Sequence, residues 1–494
     1  MNAYTYQRKP KRPLIVDLFC GAGGTSEGIR RATGRSPDIA VNHWPSAIKD
    51  HAAAHPKTRH LTASVFDVDY ERLLKACPDL VTLSPSCTHH SNAAGGAVLD
   101  DGLRSHPLIT VDLARSRVAP RVFILENVRE LLTWGPLAEN KRPDKARRGE
   151  SWRAFVASLE LAGYDVAWRI LNAADFGAPT ARRRLFMVAR RDQQPIAWPD
   201  PTHGPGRAQP WVPAASVIDW SLPCPSIFDR KRPLAAATMR RIAEGVRRFV
   251  LNGQPFLVNL SHGGRVEDIN VPMRTTTTAA RGERMLVSAH LDRAFTGSTG
   301  VSVAAPLPTV CATFAHHSLV TSFLVPVGVG EREGQSPRCV SIERPLNTIT
   351  AKGRPHELAE VTLAPVSSRS PGRAGLVAAF LSVYHGDGGG QARGLDEPMP
   401  TTPGNDSVAL HEVRLELNGA QYIIADIGAR MLTVAELKAA NGLTGPLTGT
   451  KKDQVKKVGN AVVPQVMEAL IRANLPDLAT NAPSRAERAY AEAC

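Results

Sequence analysis

Cysteine, aromatic residues and acidic residues are all scarce in this chain of 494 residues. The seven cysteines are scattered and odd in number, which excludes a disulfide framework and points to a reducing compartment, a cytoplasm. No two of them stand at zinc-ligand spacing, so no metal site is expected. No run approaches the ~20 apolar residues that a membrane span needs. The basic residues at the N-terminus have no apolar stretch of the secretory kind behind them. Acid is short relative to base: 46 Asp and Glu against 60 Lys and Arg leave a net charge of +14, which favours a polyanionic partner, most simply nucleic acid. A soluble basic surface is the blander reading of the same number. With 43% hydrophobic residues the chain can bury a sizeable core, which excludes wholesale disorder.

Residues 13–191 alternate between buried-strand and helix patterns. Leu14 to Phe19 is an apolar run that breaks into glycines and then into a helix start at Thr25. Strand-like runs follow at Leu80–Leu83, Val122–Leu125, Asp165–Leu171 and Leu185–Ala189, with a helical stretch at Ser151–Ala162. This is the pattern of a doubly wound α/β domain. After residue 191 prolines punctuate a linker, and a helix is predicted over Leu234–Val250 with an apolar face and several arginines. A weak repeat of proline followed by threonines starts at Pro272, Pro306, Pro345 and Pro398, 34, 39 and 53 residues apart, too irregular for a solenoid. Its Thr- and Val-rich segments predict a β-rich insertion. After Gly428 the α/β texture returns: a helix over Leu432–Asn441, a turn over Lys456–Pro464 and a closing helix over Val466–Ala473.

Four constellations carry chemistry. Gly21, Gly23 and Gly24 follow a strand and open a helix, where a nucleotide-like ligand can approach the backbone; the same glycines also suit a merely tight turn. Ser26 at the third glycine position departs from a dinucleotide fingerprint. Cys87 lies in a loop just after a strand, where a thiolate can act as a nucleophile; a buried structural cysteine is the competing reading. Glu126 ends an apolar strand, and burial there would raise its pKa and make it a proton donor, or it is an ordinary strand-end charge. Arg182 and Arg184 alternate on an extended chain and so share a face, able to grip an oxygen-rich group, or form a solvated charge run.

Taken together and in order, these pieces resemble the cytosine-C5 DNA methyltransferases that use S-adenosylmethionine. The segment from Asp17 to Gly24 resembles the first motif of that family, and Pro85-Ser86-Cys87 its nucleophile loop. Glu126-Asn127-Val128 matches its Glu-Asn-Val motif, and Phe176-Gly177 with Arg182 to Phe186 is similar to its Gln-x-Arg-x-Arg motif. Arg430-Met431-Leu432-Thr433 with Glu436 resembles the ninth motif and Gly459-Asn460-Ala461-Val462 the tenth. The loop Ser84-Pro85-Ser86-Cys87-Thr88 and the threonine repeat resemble a branch common in phages and prophages.

The resemblance implies a Rossmann-like sheet with a β-rich target-recognition insertion. It implies a basic arm over 1–12, a catalytic domain over 13–191, the insertion over 192–427, a completing segment over 428–475 and a peripheral tail over 476–494. Cys87 would be the nucleophile, Glu126 the acid, Arg184 and Arg182 the cytosine and loop supports, and Asn127 the anchor of the nucleophile loop. Asp17, Phe19, Gly21, Gly23, His43, Trp44, Asp67, Pro85, Asn460 and Val462 would hold S-adenosylmethionine. His43 stands where the family carries an acid, Ser86 replaces a proline and Thr180 a glutamine. The implied enzyme is a monomeric DNA (cytosine-5-)-methyltransferase of the restriction-modification kind, acting on double-stranded DNA in a bacterial or phage-infected cytoplasm, without metal or membrane. Arg182–Arg184, Arg240–Arg248 and Lys451–Lys457 would contribute to backbone contact. A tRNA methyltransferase of the same fold and a non-catalytic DNA-binding relative are the alternatives.

Overall fold

In the computed structural model the described residues are 12–86, 104–140, 142–219, 221–223, 225–232, 242, 246, 427, 428 and 430–479, together with the backbone of the strands between 256 and 431. The chain divides into two units, 1–212 with 348–351 and 438–494, and 213–347 with 352–437.

The first unit is built on a seven-stranded sheet in the order β3-β2-β1-β4-β5-β7-β6. The strands are β1 (Ile15–Leu18), β2 (Ile39–Asn42), β3 (Arg59–Thr62), β4 (Leu80–Leu83), β5 (Val122–Asn127), β6 (Asp165–Asn172) and β7 (Arg183–Arg190). The first five pair in parallel, and β7 runs antiparallel between β5 and β6. β1, β2, β4 and β5 are buried along their whole length, which is why they read as unbroken apolar runs rather than as alternation. Strand order reverses between β1 and β4, and in open α/β sheets the carboxyl ends at such a switch point form the ligand crevice.

The helices are α1 (Gly24–Thr33), α2 (Pro45–Ala54), α3 (Tyr70–Leu73), α4 (Ile109–Arg115), α5 (Glu150–Leu161), α6 (Val434–Ala440), α7 (Lys451–Asn460) and α8 (Pro464–Asn474). One core layer joins Leu18, Val41, Leu83, Phe123 and Phe155; the other joins Ile15, Ile29 and Ile124 to Val466, Met467, Leu470 and Ile471 of α8. The C-terminal segment therefore completes the core begun by β1. Two glycines of α1 permit this contact. A Cβ on Gly24 would lie 2.2 Å from Val462 O, and one on Gly28 would lie 2.7 Å from both Met467 Cβ and Pro464 O.

The turn expected over Lys456–Pro464 is corrected by the structure: α7 continues through Asn460, and the break is confined to Ala461–Val463. Thr450 and Asp453 form a capping box that starts the helix one turn before the lysines, and Pro464 restarts helix as the first residue of α8.

The second unit contains an eight-stranded, largely antiparallel sheet, in keeping with the β-rich texture of its sequence. Its strands are β8 (Phe256–Val258), β9 (Val266–Glu267), β10 (Val287–Arg293), β11 (Val301–Ser302), β12 (His317–Val325), β13 (Glu357–Pro365), β14 (Arg414–Leu417) and β15 (Ala420–Met431). The longest ladder pairs β13 with β15 from Glu357–Met431 to Pro365–Tyr422. At its C-terminal end Glu436 accepts from Thr433 N and from both terminal nitrogens of Arg430, so this motif anchors the start of α6. The threonine repeat lies outside the described residues, as does the helix predicted over 234–250 apart from Ile242 and Val246, both fully buried.

Candidate active site

A cavity of about 330 Å³ opens at the carboxyl ends of β1, β4 and β5. Its lining draws on three stretches of sequence: the glycine turn with Phe19 and Gly21, the strand ends with His43, Trp44, Pro85 and Glu126, and the C-terminal segment with Asn460 and Val462.

At one end the chain after β1 turns sharply. Phe19 has φ of 57°, a left-handed backbone that a bulky residue adopts only under constraint, and the turn brings it to the cavity wall. Trp44 precedes Pro45, the first residue of α2, and its backbone N–H donates to Asn42 Oδ1 at 2.8 Å. Lys456 Nζ stands 4.7 Å from the centre of the Trp44 ring. Thr25 Oγ1 and Ser84 Oγ pair at 3.3 Å, joining the glycine turn to the loop after β4.

At the other end Glu126, Arg182 and Arg184 converge, each less than a tenth exposed. Glu126 Oε1 lies 3.4 Å from Arg184 Nε and 4.0 Å from Arg182 Nη2. That oxygen has no hydrogen bond among the described residues. Burial pushes the Glu126 carboxyl up from its ordinary value, against the pull of Arg182 and Arg184. A carboxyl group whose pKa burial raises, with a buried oxygen left to satisfy, is suited to donate to a polar ligand atom. Arg182 Nη1 donates to Gly459 O at 3.1 Å, tying this cluster to α7. Asn127 Nδ2 donates to Pro85 O at 3.0 Å and so fixes the loop that leads to Cys87.

Of the residues expected from sequence, Phe19, Gly21, His43, Trp44, Pro85, Glu126, Arg182, Arg184, Asn460 and Val462 share this cavity. Asn127 stands behind it, holding the loop. Three are not brought to the lining. Asp17 is fully buried beneath the turn, accepting from Ser26 and Thr82; Gly23 faces the ring of His55; Asp67 is exposed. Cys87 lies outside the described residues, and its neighbour Ser86 lines the cavity. Two arginines and a lysine expected at a phosphate backbone are instead interior: Arg182 and Arg184 serve the cavity, and Lys457 is fully buried against Asp50.

Sequence reasoning missed Asn42, His106, Lys456, Lys457 and Asp50. Lys457 Nζ meets Asp50 Oδ2 at 2.5 Å, Ser46 Oγ at 2.8 Å and Thr448 O at 2.8 Å, so it locks α7 onto the start of α2, where Trp44 sits. Lys457 and Asp50 are 407 residues apart, a pairing that no local spacing signals.

The lining suits S-adenosylmethionine. Aromatic walls at Phe19 and Trp44 suit an adenine, and the turn with its helix N-terminus suits polar groups of a nucleoside and amino acid. Among the described residues no group of His, Cys, Asp and Glu could hold a metal ion, and no helix is long and apolar enough to cross a membrane.

Comparison with known proteins gives a match to the family described as C-5 cytosine-specific DNA methylase over residues 14–214. The chain is 30% identical over 197 residues to Type II methyltransferase M.AquIA of Picosynechococcus, covering 39% of this chain and 77% of that protein. It is also 30% identical over 193 residues to Type II methyltransferase M1.HphI of Haemophilus parahaemolyticus, covering 38% of this chain but only 48% of that protein. Among solved structures, a DNMT2 of Spodoptera frugiperda aligns with 94% of this chain and 99% of its own at 12% identity, with a TM-score of 0.46.

Proposed function

Because this chain belongs to the C-5 cytosine-specific DNA methylase family, we propose that it methylates C5 of a cytosine in double-stranded DNA, using S-adenosylmethionine and a covalent adduct to Cys87. The observation that carries this reading is that a single cavity holds both the Phe19–Trp44 end and the Glu126–Arg184 end, with the loop to Cys87 entering beside them.

Cytosine C5 is too electron-poor to accept an electrophile unaided. Addition of the Cys87 thiolate at C6 makes C5 a nucleophile. Glu126 supplies a proton or strong hydrogen bond at N3, which the addition requires, and its raised pKa favours that role. Arg184 holds the cytosine O2, and Arg182, fixed to Gly459 O, keeps Glu126 and Arg184 in place. Asn127 sets the position of the Cys87 loop through Pro85 O. When bound, S-adenosylmethionine supplies an electrophilic methyl group, held by Phe19, Gly21, His43, Trp44, Asn460 and Val462. Loss of the C5 proton and expulsion of Cys87 restore the aromatic ring. The target base has to leave the duplex to reach Glu126, so base flipping is part of the cycle.

The second unit is the target-recognition part in this reading. The Type II names of the relatives accord with a modification role beside a restriction enzyme. Transfer of labelled methyl groups to duplex DNA and to tRNA in competition tests the substrate. Preferential labelling of DNA at C5 supports the proposal, and labelling of tRNA alone replaces it with the tRNA reading.

A further inference from the structure

Behind the glycine turn a line of polar side chains runs from the core towards the surface, and the reaction outlined above does not use it. Asp17 accepts from Thr82 Oγ1 at 2.9 Å and from Ser26 Oγ at 2.6 Å. Ser26 Oγ pairs with His51 Nε2 at 2.9 Å, and His51 Nδ1 pairs with His60 Nε2 at 2.8 Å. Asp17, Ser26 and His51 are fully buried, and His60 on β3 is partly exposed. Each link joins an element that contributes to the cavity wall: β1 leads into Phe19, α1 carries Thr25, and β4 leads into Ser84 and Pro85.

We propose that Asp17, Ser26, His51 and His60 form a proton wire through which the buried Asp17 gains and loses its charge, and that this charge sets the affinity of the adjoining cavity for a cationic methyl donor. The inference rests on the S-adenosylmethionine reading of that cavity.

The wire has two self-consistent directions. With Asp17 ionised, His60 Nε2–H donates to His51, His51 Nε2–H donates to Ser26, and the Ser26 hydroxyl donates to Asp17. With Asp17 protonated, every donor reverses. Passing between them moves the Asp17 proton to Ser26 Oγ, the Ser26 proton to His51 Nε2 and the His51 Nδ1 proton to His60 Nε2. His60 becomes an imidazolium and releases its other proton, from Nδ1, to water. No proton is created or lost, and each hydrogen bond is kept. Burial pushes the Asp17 carboxyl up to about 7, so both directions are accessible near neutrality. Burial, with His55 and His60 close by, holds His51 neutral, as a two-way relay requires. The other groups facing the wire are His55 of α2, its ring 4.7 Å from that of His51, Glu27 and Arg30 of α1 beside His55, and Cys20 beside Asp17. The Glu27 carboxylate is already committed to Arg30 and Arg31.

S-adenosylmethionine carries a sulfonium charge, and S-adenosylhomocysteine does not. An ionised Asp17, two residues before Phe19, favours the first over the second. Binding of the cation should therefore expel a proton from the wire near pH 7.

Isothermal titration calorimetry on the full chain tests this, in buffers of different ionisation enthalpy between pH 6 and 8.5. S-adenosylmethionine binding should release a fraction of one proton at pH 7, and its Kd should rise as pH falls below 7, by up to about tenfold per pH unit. S-adenosylhomocysteine should give a flatter profile. Asp17→Asn should flatten the S-adenosylmethionine profile. His60→Gln, at the partly exposed end, should move its midpoint while the protein stays folded. Heats that do not depend on the buffer, or a His60→Gln midpoint equal to that of the unaltered chain, overturn the wire. Absence of S-adenosylmethionine binding at every pH overturns the cofactor reading itself and the wire with it.

Discussion

Replacing Lys457 by methionine keeps the length of the side chain and removes its charge. In the folded chain neither Lys457 nor Asp50 is exposed at all, and their charged atoms meet at 2.5 Å. The substitution leaves the Asp50 carboxylate buried without its cation. Thr448 N and Thr448 Oγ1 still donate to Asp50, at 3.0 and 2.5 Å, so its solvation is reduced rather than abolished. Breaking a buried pair by removing one partner costs about 3–5 kcal/mol, and the two surviving bonds place Lys457→Met near the lower end, at about 3 kcal/mol. The carbonyl and hydroxyl of Ser46 and the carbonyl of Thr448 lose a donor as well. Replacing Asp50 by leucine in the same chain removes the orphaned charge and should recover much of the loss, because an apolar pair often substitutes for a buried ionic one. Urea unfolding of the full chain, followed at the transition that S-adenosylmethionine shifts, reads both values. A second consequence follows from position. Ser46 lies two residues after Trp44, so the single variant should also weaken S-adenosylmethionine binding. A loss below about 1 kcal/mol, or a double variant no more stable than the single one, refutes the view that this pair joins α7 to α2.

Other outcomes follow from the same geometry. Gly24→Ala should destabilise the chain by about 1–3 kcal/mol, because its Cβ would press on Val462 O; thermal unfolding checks this, and an unchanged midpoint contradicts the close contact. Glu126→Gln removes the exchangeable proton at unchanged volume and should lower single-turnover methyl transfer by about 10²–10⁴-fold. Burial lowers the pKa of His51, His55 and His60 in the folded chain, so the unfolded chain takes up more protons below about pH 6.5. The three histidines therefore make stability fall as pH drops through that value, and His51→Gln should soften the fall in a pH series of unfolding curves.

What the sequence made legible was local. β1, β4, β5 and β7 announce themselves as apolar runs because strands covered on both faces need no alternation, whereas β6, at the sheet edge, is largely exposed despite its apolar residues. Arg182 and Arg184, two apart, needed only the period of an extended chain to be placed on one face, whereas their meeting with Glu126 from a different strand was implied by the resemblance to the family alone. The contributions of the C-terminal segment were legible only in part. Asn460 and Val462 were found because their motif is distinctive, whereas Lys456 and Lys457 read as surface charge. Lys456 is indeed exposed, but Lys457 is buried because α7 meets α2 from some 400 residues away, which no window of sequence contains. Asp17 shows the opposite error. It sits inside a ligand-binding motif, yet it serves the turn from below rather than the cavity from within. The α7 boundary was misplaced because Gly459 and Asn460 suggest a turn, while the Thr450–Asp453 capping box had already committed the segment to helix.

The central claim is covalent catalysis by Cys87 on cytosine in DNA. Duplex DNA containing 5-fluorocytosine tests it most directly, because fluorine at C5 blocks release of the enzyme once the methyl group has been transferred. With S-adenosylmethionine present, the account predicts a protein–DNA complex that survives denaturing electrophoresis and disappears in Cys87→Ser. A protein that binds S-adenosylmethionine and the DNA target but forms no such complex would contradict it.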